Sequence, residues 1–284
     1  MRLLDVMNSS WAILPAQLKE IQNIYITHLR GEKIDIKGVE ARIGKPLKNE
    51  VKGFEIFGNV AVLNIEGVLA QKMNLFTEIS GGISTEMAAK DFQEIMGNES
   101  IKAVILNIDS PGGTSSGTPE LANQIFEARK QKRVIAFTSN MMASAAYWIG
   151  AAADAVVISS DVVQVGSIGV VASHTDISKA EEMRGIKTTE IVAGKYKRIA
   201  SQYAPLSQEG RETIQGHLDY VYSVFVEDIA KFRGVSVEKV LSDMADGRVF
   251  IGKQAIEAGL VDGVSTLEAL IADLNAAGER AIMI

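Results

Sequence analysis

The chain has 284 residues, 47% apolar and 23% charged, with a formal charge of −6 and no cysteine. That is an ordinary globular composition, long enough to bury a sizeable core, and its acidic balance argues against a nucleic-acid footprint. Three scattered histidines, His28, His174 and His217, argue against a histidine-rich metal site, and the lack of cysteine leaves only oxygen or amine nucleophiles for covalent catalysis.

Met1 to Gln17 carries Asp5, Asn8 and Ser9 where a secretory signal needs an unbroken apolar run, so it reads as mature protein. The pattern Trp11, Ile13, Leu14, Leu18, Ile21 and Ile24 predicts a helix, followed by a charged run from Arg30 to Lys52. Residues 1–52 are therefore expected to form a helical N-terminal extension, and 53–284 the main domain. From Phe57 onward, short β-branched runs alternate with helical patterns, as in a layered α/β domain. Strands are expected at Val60–Ile65, Ala103–Ile108, Val134–Phe137, Ala155–Ile158 and near Ile168–Val171. Helices are expected at Thr85–Met96, Thr118–Lys130, Ser144–Ala153 and Gln208–Phe232, then at Ser236–Met244, Gly252–Ala258 and Thr266–Ala277. The longest apolar stretch, Met141–Ser159, is broken by Asp154 and is too short to span a bilayer, so no membrane anchor is expected and the cytoplasm is the expected location.

Chemistry-bearing residues gather after the second long strand. Asp109-Ser110-Pro111-Gly112-Gly113 ends a buried strand in a turn whose glycines let backbone approach a ligand with an N–H left free. A plain strand-to-helix turn would use the same residues. Some thirty residues on, Ser144 sits where a small-residue helix begins, Ala143-Ser144-Ala145-Ala146-Tyr147. There the N–H of Ala145 is placed to stabilise an oxyanion, although serine also caps helices with no catalytic role. A hydroxyl nucleophile needs a base. His174, with Asp176, is one candidate, and Lys197 in Gly194-Lys195-Tyr196-Lys197-Arg198 is the other, its proton loosened by burial or by the neighbouring Lys195 and Arg198.

Taken in order, Asp109–Gly113, Ala143–Tyr147, Gly166-Ser167-Ile168-Gly169-Val170, Gly194–Lys197, Gly247-Arg248-Val249-Phe250 and Ala258-Gly259-Leu260-Val261-Asp262 resemble the signal peptide peptidase A family of serine peptidases, over roughly residues 57 to 275. The resemblance implies a crotonase/Clp-protease-like layered α/β fold with repeated β-β-α units. It also implies a Ser-Lys dyad of Ser144 as nucleophile and Lys197 as base, an oxyanion hole from the backbone N–H groups of Gly113 and Ala145, and Gly112 and Ser167 in supporting places along the cleft. No cofactor or metal is implied. Polypeptide substrates and a homo-oligomer are, with serine and lysine of one site able to come from neighbouring subunits.

This chain has Ala145-Ala146 where the membrane-anchored members usually carry Gly-Gly, and it shows no anchor. In both respects it is similar to the phage prohead or capsid maturation branch, as it is in Trp11-Ala12-Ile13-Leu14-Pro15 and in the Met73–Phe76 to Gly81-Gly82 segment. That branch implies scaffold, portal or coat protein as substrate and a procapsid or host cytoplasm as location; the wider family implies clearance of cleaved signal peptides. The N-terminal segment and Ala281–Ile284 are expected contact surfaces. Three alternatives stand beside this reading: a Ser144-His174 peptidase, acyl-CoA chemistry on the same fold, and a structural capsid subunit in which Ser144 only caps its helix.

Overall fold

The computed structural model describes residues 10–29, 53–72 and 82–282. The chain opens with strand β1 (Trp11–Ile13) and helix α1 (Pro15–Leu29), then β2 (Phe54–Phe57), β3 (Val60–Glu66), β4 (Leu69–Ala70), β5 (Ile83–Ser84) and α2 (Thr85–Gly97). Next come β6 (Ala103–Asp109), β7 (Gly112–Thr114), α3 (Thr118–Ala128), β8 (Arg133–Thr138), β9 (Met141–Ala143), α4 (Ala145–Gly150), β10 (Ala155–Ile158) and β11 (Gln164–Gly166). After a turn-rich arm holding the short α5 (Ser178–Met183) come α6 (Gln208–Arg233), α7 (Val237–Lys239) with a π turn over Val240–Met244, β12 (Val249–Ile251), α8 (Lys253–Glu257), β13 (Gly263–Val264) and α9 (Leu267–Ile282). Among the described residues no helix is long and apolar enough to cross a membrane.

The architecture is a layered α/β fold built from repeated β-β-α units. The first strands of successive units, β3, β6, β8 and β10, lie parallel in a six-stranded sheet of order β13-β10-β8-β6-β3-β2, with β2 antiparallel at one edge. The second strands turn away and pair among themselves, β4 with β7 and β9 with β11. A bridge between Ser110 and Met142 ties these two groups together. Side chains on the central strands alternate between faces. Ala61, Leu63, Val104, Leu106 and Ala136 join the core under α2, α3 and α4, while Val60, Val62, Ile105, Ile135 and Phe137 pack on the other face with Leu267, Leu270, Ile271 and Leu274 of α9.

All six residues of α4 are buried, as befits a helix apolar on every side. Its Trp148 ring stacks on Phe225 of α6 at a centroid distance of 4.1 Å, and its indole N–H donates to Asp228 at 2.9 Å. The neighbouring Tyr147 hydroxyl donates to the Leu260 carbonyl, and burial pushes its pKa up. Asp262, which ends the Ala258–Asp262 motif, accepts two bonds of 2.7 Å from Arg233 and a third from the Val156 N–H. The motif thus locks the C-terminal lobe to β10 and to the end of α6.

The four long central strands and the long helices stand within a few residues of expectation. Three expectations are corrected. Trp11–Ile13 is a strand, not the first turn of a helix. Leu14 precedes proline, which steers it away from helical backbone, and the helix begins at Pro15, whose missing N–H is harmless there. The strand expected near Ile168–Val171 lies earlier, at Gln164–Gly166, leaving Val171 to make a lone bridge to Trp11. The helix expected from Ser144 to Ala153 runs from Ala145 to Gly150, with Ser144 itself outside it. The boundary expected at residue 52 and most of the Met73–Gly82 segment lie outside the described residues.

Candidate active site

Ser144 stands on the turn between β9 and α4, with φ 55° and ψ −118°. A side chain at positive φ with such a ψ is strained, and it persists only where its surroundings fix it. Here they do. The Ser144 N–H donates to the Gly166 carbonyl at 2.7 Å, its carbonyl accepts from the Trp148 N–H at 2.9 Å, and the preceding Ala143 N–H donates to the Ser110 carbonyl at 3.1 Å. The hydroxyl Oγ donates to the Gly169 carbonyl across 3.4 Å, and the residue is fully buried. Ser144 makes no side-chain cap of α4, so the capping alternative does not describe its hydroxyl.

The Ser110–Gly113 turn packs directly against it. The Ser110 N–H donates to the Met141 carbonyl, and the Ser110 hydroxyl accepts from the Gly112 N–H at 3.1 Å. Both glycines are compelled. Gly112 has φ +104°, and a Cβ there would stand 3.0 Å from Ser144 Cβ and 2.3 Å from the Ala12 carbonyl oxygen; a Cβ at Gly113 would meet the Leu69 carbonyl oxygen at 1.9 Å. Gly113 is paired on both sides, parallel to Leu69 of β4 and antiparallel to Ala12 of β1. Along β1 and β7, Leu14 bonds to Pro111 and Ser115 bonds to Ser10. Bonded pairs alternate in an antiparallel ladder, so Ala12 and Gly113 form the bonded pair between them, with the Gly113 N–H facing the Ala12 carbonyl. The other expected donor, Ala145, is the first residue of α4, where an N–H has no acceptor within its own helix.

Ser167 is also buried at positive φ, 53°, and its N–H donates to the Arg248 carbonyl at 2.7 Å. Gly247 donates to Ile168, and β12 pairs with β11 behind it. The Gly247–Phe250 motif is therefore the wall holding the Gly166–Val170 segment, whose Gly166 and Gly169 carbonyls reach Ser144. These two carbonyl contacts and the Ser110 hydroxyl were missed in the sequence, because backbone acceptors leave no residue-type signal. A cavity of about 290 Å³ beside Gly169 is lined by Ile13, Ser167, Val170, Val171, Tyr222 and Asp246, among others.

Lys197 lies elsewhere. It is exposed, on the arm between Val171 and α6, and lines a separate cavity of about 480 Å³ with His174, Tyr196, Ser201, Tyr203 and His217. The cations beside it are compensated. Lys195 pairs with Glu209, whose hydrogen bond and charge push the Lys195 pKa up, and Arg198 faces Glu190. His174 directs Nε2 to the Ser201 carbonyl at 2.9 Å, while Asp176 bonds to the Ser178 N–H. Within one chain, then, neither Lys197 nor His174 is hydrogen-bonded to Ser144, whose Oγ bond goes to Gly169. Among the described residues no three histidine or carboxylate side chains gather as a metal site requires.

Comparison with known proteins bears on this arrangement. The chain is 28% identical over 213 residues to the capsid assembly protease C of Escherichia phage lambda, covering 75% of this chain and 48% of that one. It is 30% identical over 213 residues to an Enterococcus faecium protein named as a signal peptide peptidase SppA, covering 74% and 60%. The chain spans about half the length of the curated relatives it matches. Among solved structures, a ClpP1 point mutant from Listeria monocytogenes aligns with a TM-score of 0.45 and 14% identity, over 74% of this chain and 94% of that one. The profile of peptidase family S49 matches residues 127–280, more than half of the chain and the stretch that holds Ser144, Ser167 and Lys197. This chain belongs to peptidase family S49.

Proposed function

We propose that this chain is a serine endopeptidase in which Ser144 is the nucleophile and Lys197 the general base, acting on polypeptides of a phage capsid or its scaffold. The observation that carries the reading is the strained backbone of Ser144, clamped on its turn against the Ser110–Gly113 loop. Strain of this kind is retained where an exact side-chain position serves a purpose. The substrate class is suggested by the relative named as a capsid assembly protease.

The cycle has two halves. Lys197, in its neutral form, takes the hydroxyl proton of Ser144 as Oγ attacks the scissile carbonyl carbon, and the carbonyl oxygen becomes an oxyanion that accepts bonds from the N–H groups of Gly113 and Ala145. The C–N bond breaks as Lys197 returns the proton to the departing amine. Water then gives a proton to Lys197 and attacks the ester, releasing the new carboxyl end and restoring the serine.

With Lys195 and Arg198 paired to carboxylates, exclusion of water is what remains to loosen the Lys197 proton, yet Lys197 is exposed in the single chain and unbonded to Ser144. The same arm exposes Met183 at 89% and Ile191 at 95%. Apolar surface of that kind fits burial against another copy. Assembly would bring the lysine of one subunit to the serine of its neighbour and dry it in the same step.

The test uses a fluorophosphonate probe and unfolded casein with the wild type, Ser144→Ala and Lys197→Ala. The wild type is expected to be labelled at Ser144 and to cleave; each variant is expected to lose at least about a hundredfold in rate. Mixing the two variants should restore part of the activity. Full activity in Lys197→Ala would sink the dyad and point to His174. Unlabelled wild type that leaves casein intact would sink the peptidase reading.

A further inference from the structure

A peptidase whose nucleophile is fully buried has to be opened before a polypeptide can reach it. Ser144 is 0% exposed. A substrate must also lie as an extended strand beside that hydroxyl, bonded to backbone edges on either hand. Two such edges flank Ser144: β7, which follows the Ser110–Gly113 turn, and Val171, two residues past the Gly169 carbonyl that holds Oγ. Both are already taken by β1.

On one side Trp11, Ala12 and Ile13 run antiparallel to Thr114, Gly113 and Gly112. On the other, Trp11 exchanges two bonds with Val171, 2.9 Å from its N–H and 2.8 Å to its carbonyl. The fit is close. The Ala12 carbonyl oxygen and Ser144 Cβ both lie within 3.0 Å of the point where a Gly112 side chain would begin, and that carbonyl faces the Gly113 N–H, one of the two proposed oxyanion donors. Trp11, Ile13 and Leu18 anchor the segment on Val68 and Val171 in a small cluster of their own, separate from the main core.

We propose that residues Ser10–Leu14 are a built-in plug, a strand of the chain itself seated where polypeptide substrate must lie, which substrate has to displace, so that the protein reaches its full rate only when this strand is withdrawn. The plug rests on the proposed function for its purpose, but its occupancy of the groove stands on the strand pairing alone. A tethered occupant competes at an effective concentration in the millimolar range, so substrates are excluded unless they bind well or the strand is pulled away.

The structure offers a clean lock. The hydroxyls of Ser10 and Ser115 stand 2.5 Å apart, and the chain contains no cysteine. Ser10→Cys with Ser115→Cys should therefore form a single disulfide that fastens β1 to β7. An opened counterpart is Ala12→Pro, which removes an N–H on the side bonded to Gly113.

Binding of fluorescein-labelled unfolded casein is measured first, by anisotropy, on full-length chains that also carry Ser144→Ala. The expected order of affinity is Ala12→Pro above the reduced double-cysteine chain above its oxidised form, with at least about tenfold between the extremes. Equal affinity of the opened and oxidised chains, at any level, would overturn the plug. Fluorophosphonate labelling of the same chains with Ser144 restored then separates the two readings. A chain that binds casein in the expected order but is never labelled keeps the plug and loses the peptidase; equal labelling of oxidised and opened chains keeps the peptidase and overturns the plug.

Discussion

Ser144 and Ser167 are two serines held at positive φ, 55° and 53°, on opposite sides of one bond network. Glycine reaches such backbone freely, whereas a residue with a Cβ is held there at a cost of about 1–3 kcal/mol. Ser144→Gly should therefore raise stability by about 1 kcal/mol while abolishing labelling. Ser144→Ala, which keeps the Cβ, should gain little. Thermal unfolding of the two variants side by side decides the matter, and equal midpoints would mean the turn carries no strain. The opposite sign holds at Gly113, where a Cβ would be driven to 1.9 Å from the Leu69 oxygen; Gly113→Ala should destabilise by about 2 kcal/mol or more through that overlap. That Gly112 and Gly113 form a tight turn and that Ser144 stands at the start of a helix was legible in the sequence, because turn glycines and a small-residue helix are marked by type. That Lys197 is exposed and makes no bond to Ser144 within the chain was not, since nothing in Gly194–Arg198 says whether its partner lies in the same chain.

At the scale of elements, strands long enough to show an unbroken β-branched run were readable, as β3, β6, β8 and β10 demonstrate. The strands of two or three residues were not, because β4, β7, β9 and β11 are too short to display a period and exist only through their partners. β1 was misread for a related reason, as its apolar residues run on into those of α1. Among the joints between elements, Arg233 to Asp262 is the most exposed to test. Desolvation works against the Asp262 carboxylate, but the Arg233 hydrogen bond, the Val156 N–H and the guanidinium charge outweigh it and hold its pKa below the usual carboxylate range. The folded pKa lies below the unfolded one, so this stabilisation is present above the ordinary carboxylate pKa of about 4 and is lost as pH falls through the lowered value. Because the Asp262 side chain is partly exposed and its charge is screened by water, Asp262→Asn should cost no more than about 1 kcal/mol at neutral pH, with the difference from wild type shrinking toward pH 3. A denaturant series at several pH values measures it, and a pH-independent difference would show that the carboxylate charge is not what holds the joint.

For the whole molecule, the apolar side chains of the arm set the expectation. Met183 and Ile191 are nearly fully exposed in one chain, and such groups drive association where they meet a partner. Ile191→Glu with Met183→Glu should leave the monomer folded, shift sedimentation toward smaller species and lower casein cleavage in parallel. Unchanged sedimentation would remove the arm from the interface.

The long helix α6 has a bearing on how those copies can be spaced. Its second half is rooted in the core through Phe225, Val226 and Ile229, while Thr213, Ile214 and His217 of its first half line the cavity around Lys197. A helix of 26 residues is about 39 Å of nearly incompressible rod. The arm is thus mounted on a spoke, and its reach is written in helical turns. Adding one residue to the exposed half would swing the mount by about 100° and misdirect it, whereas adding seven, close to two full turns, would keep its facing and extend it by about 10 Å. The spacing of copies, in such an assembly, would be a matter of gauge rather than of surface chemistry.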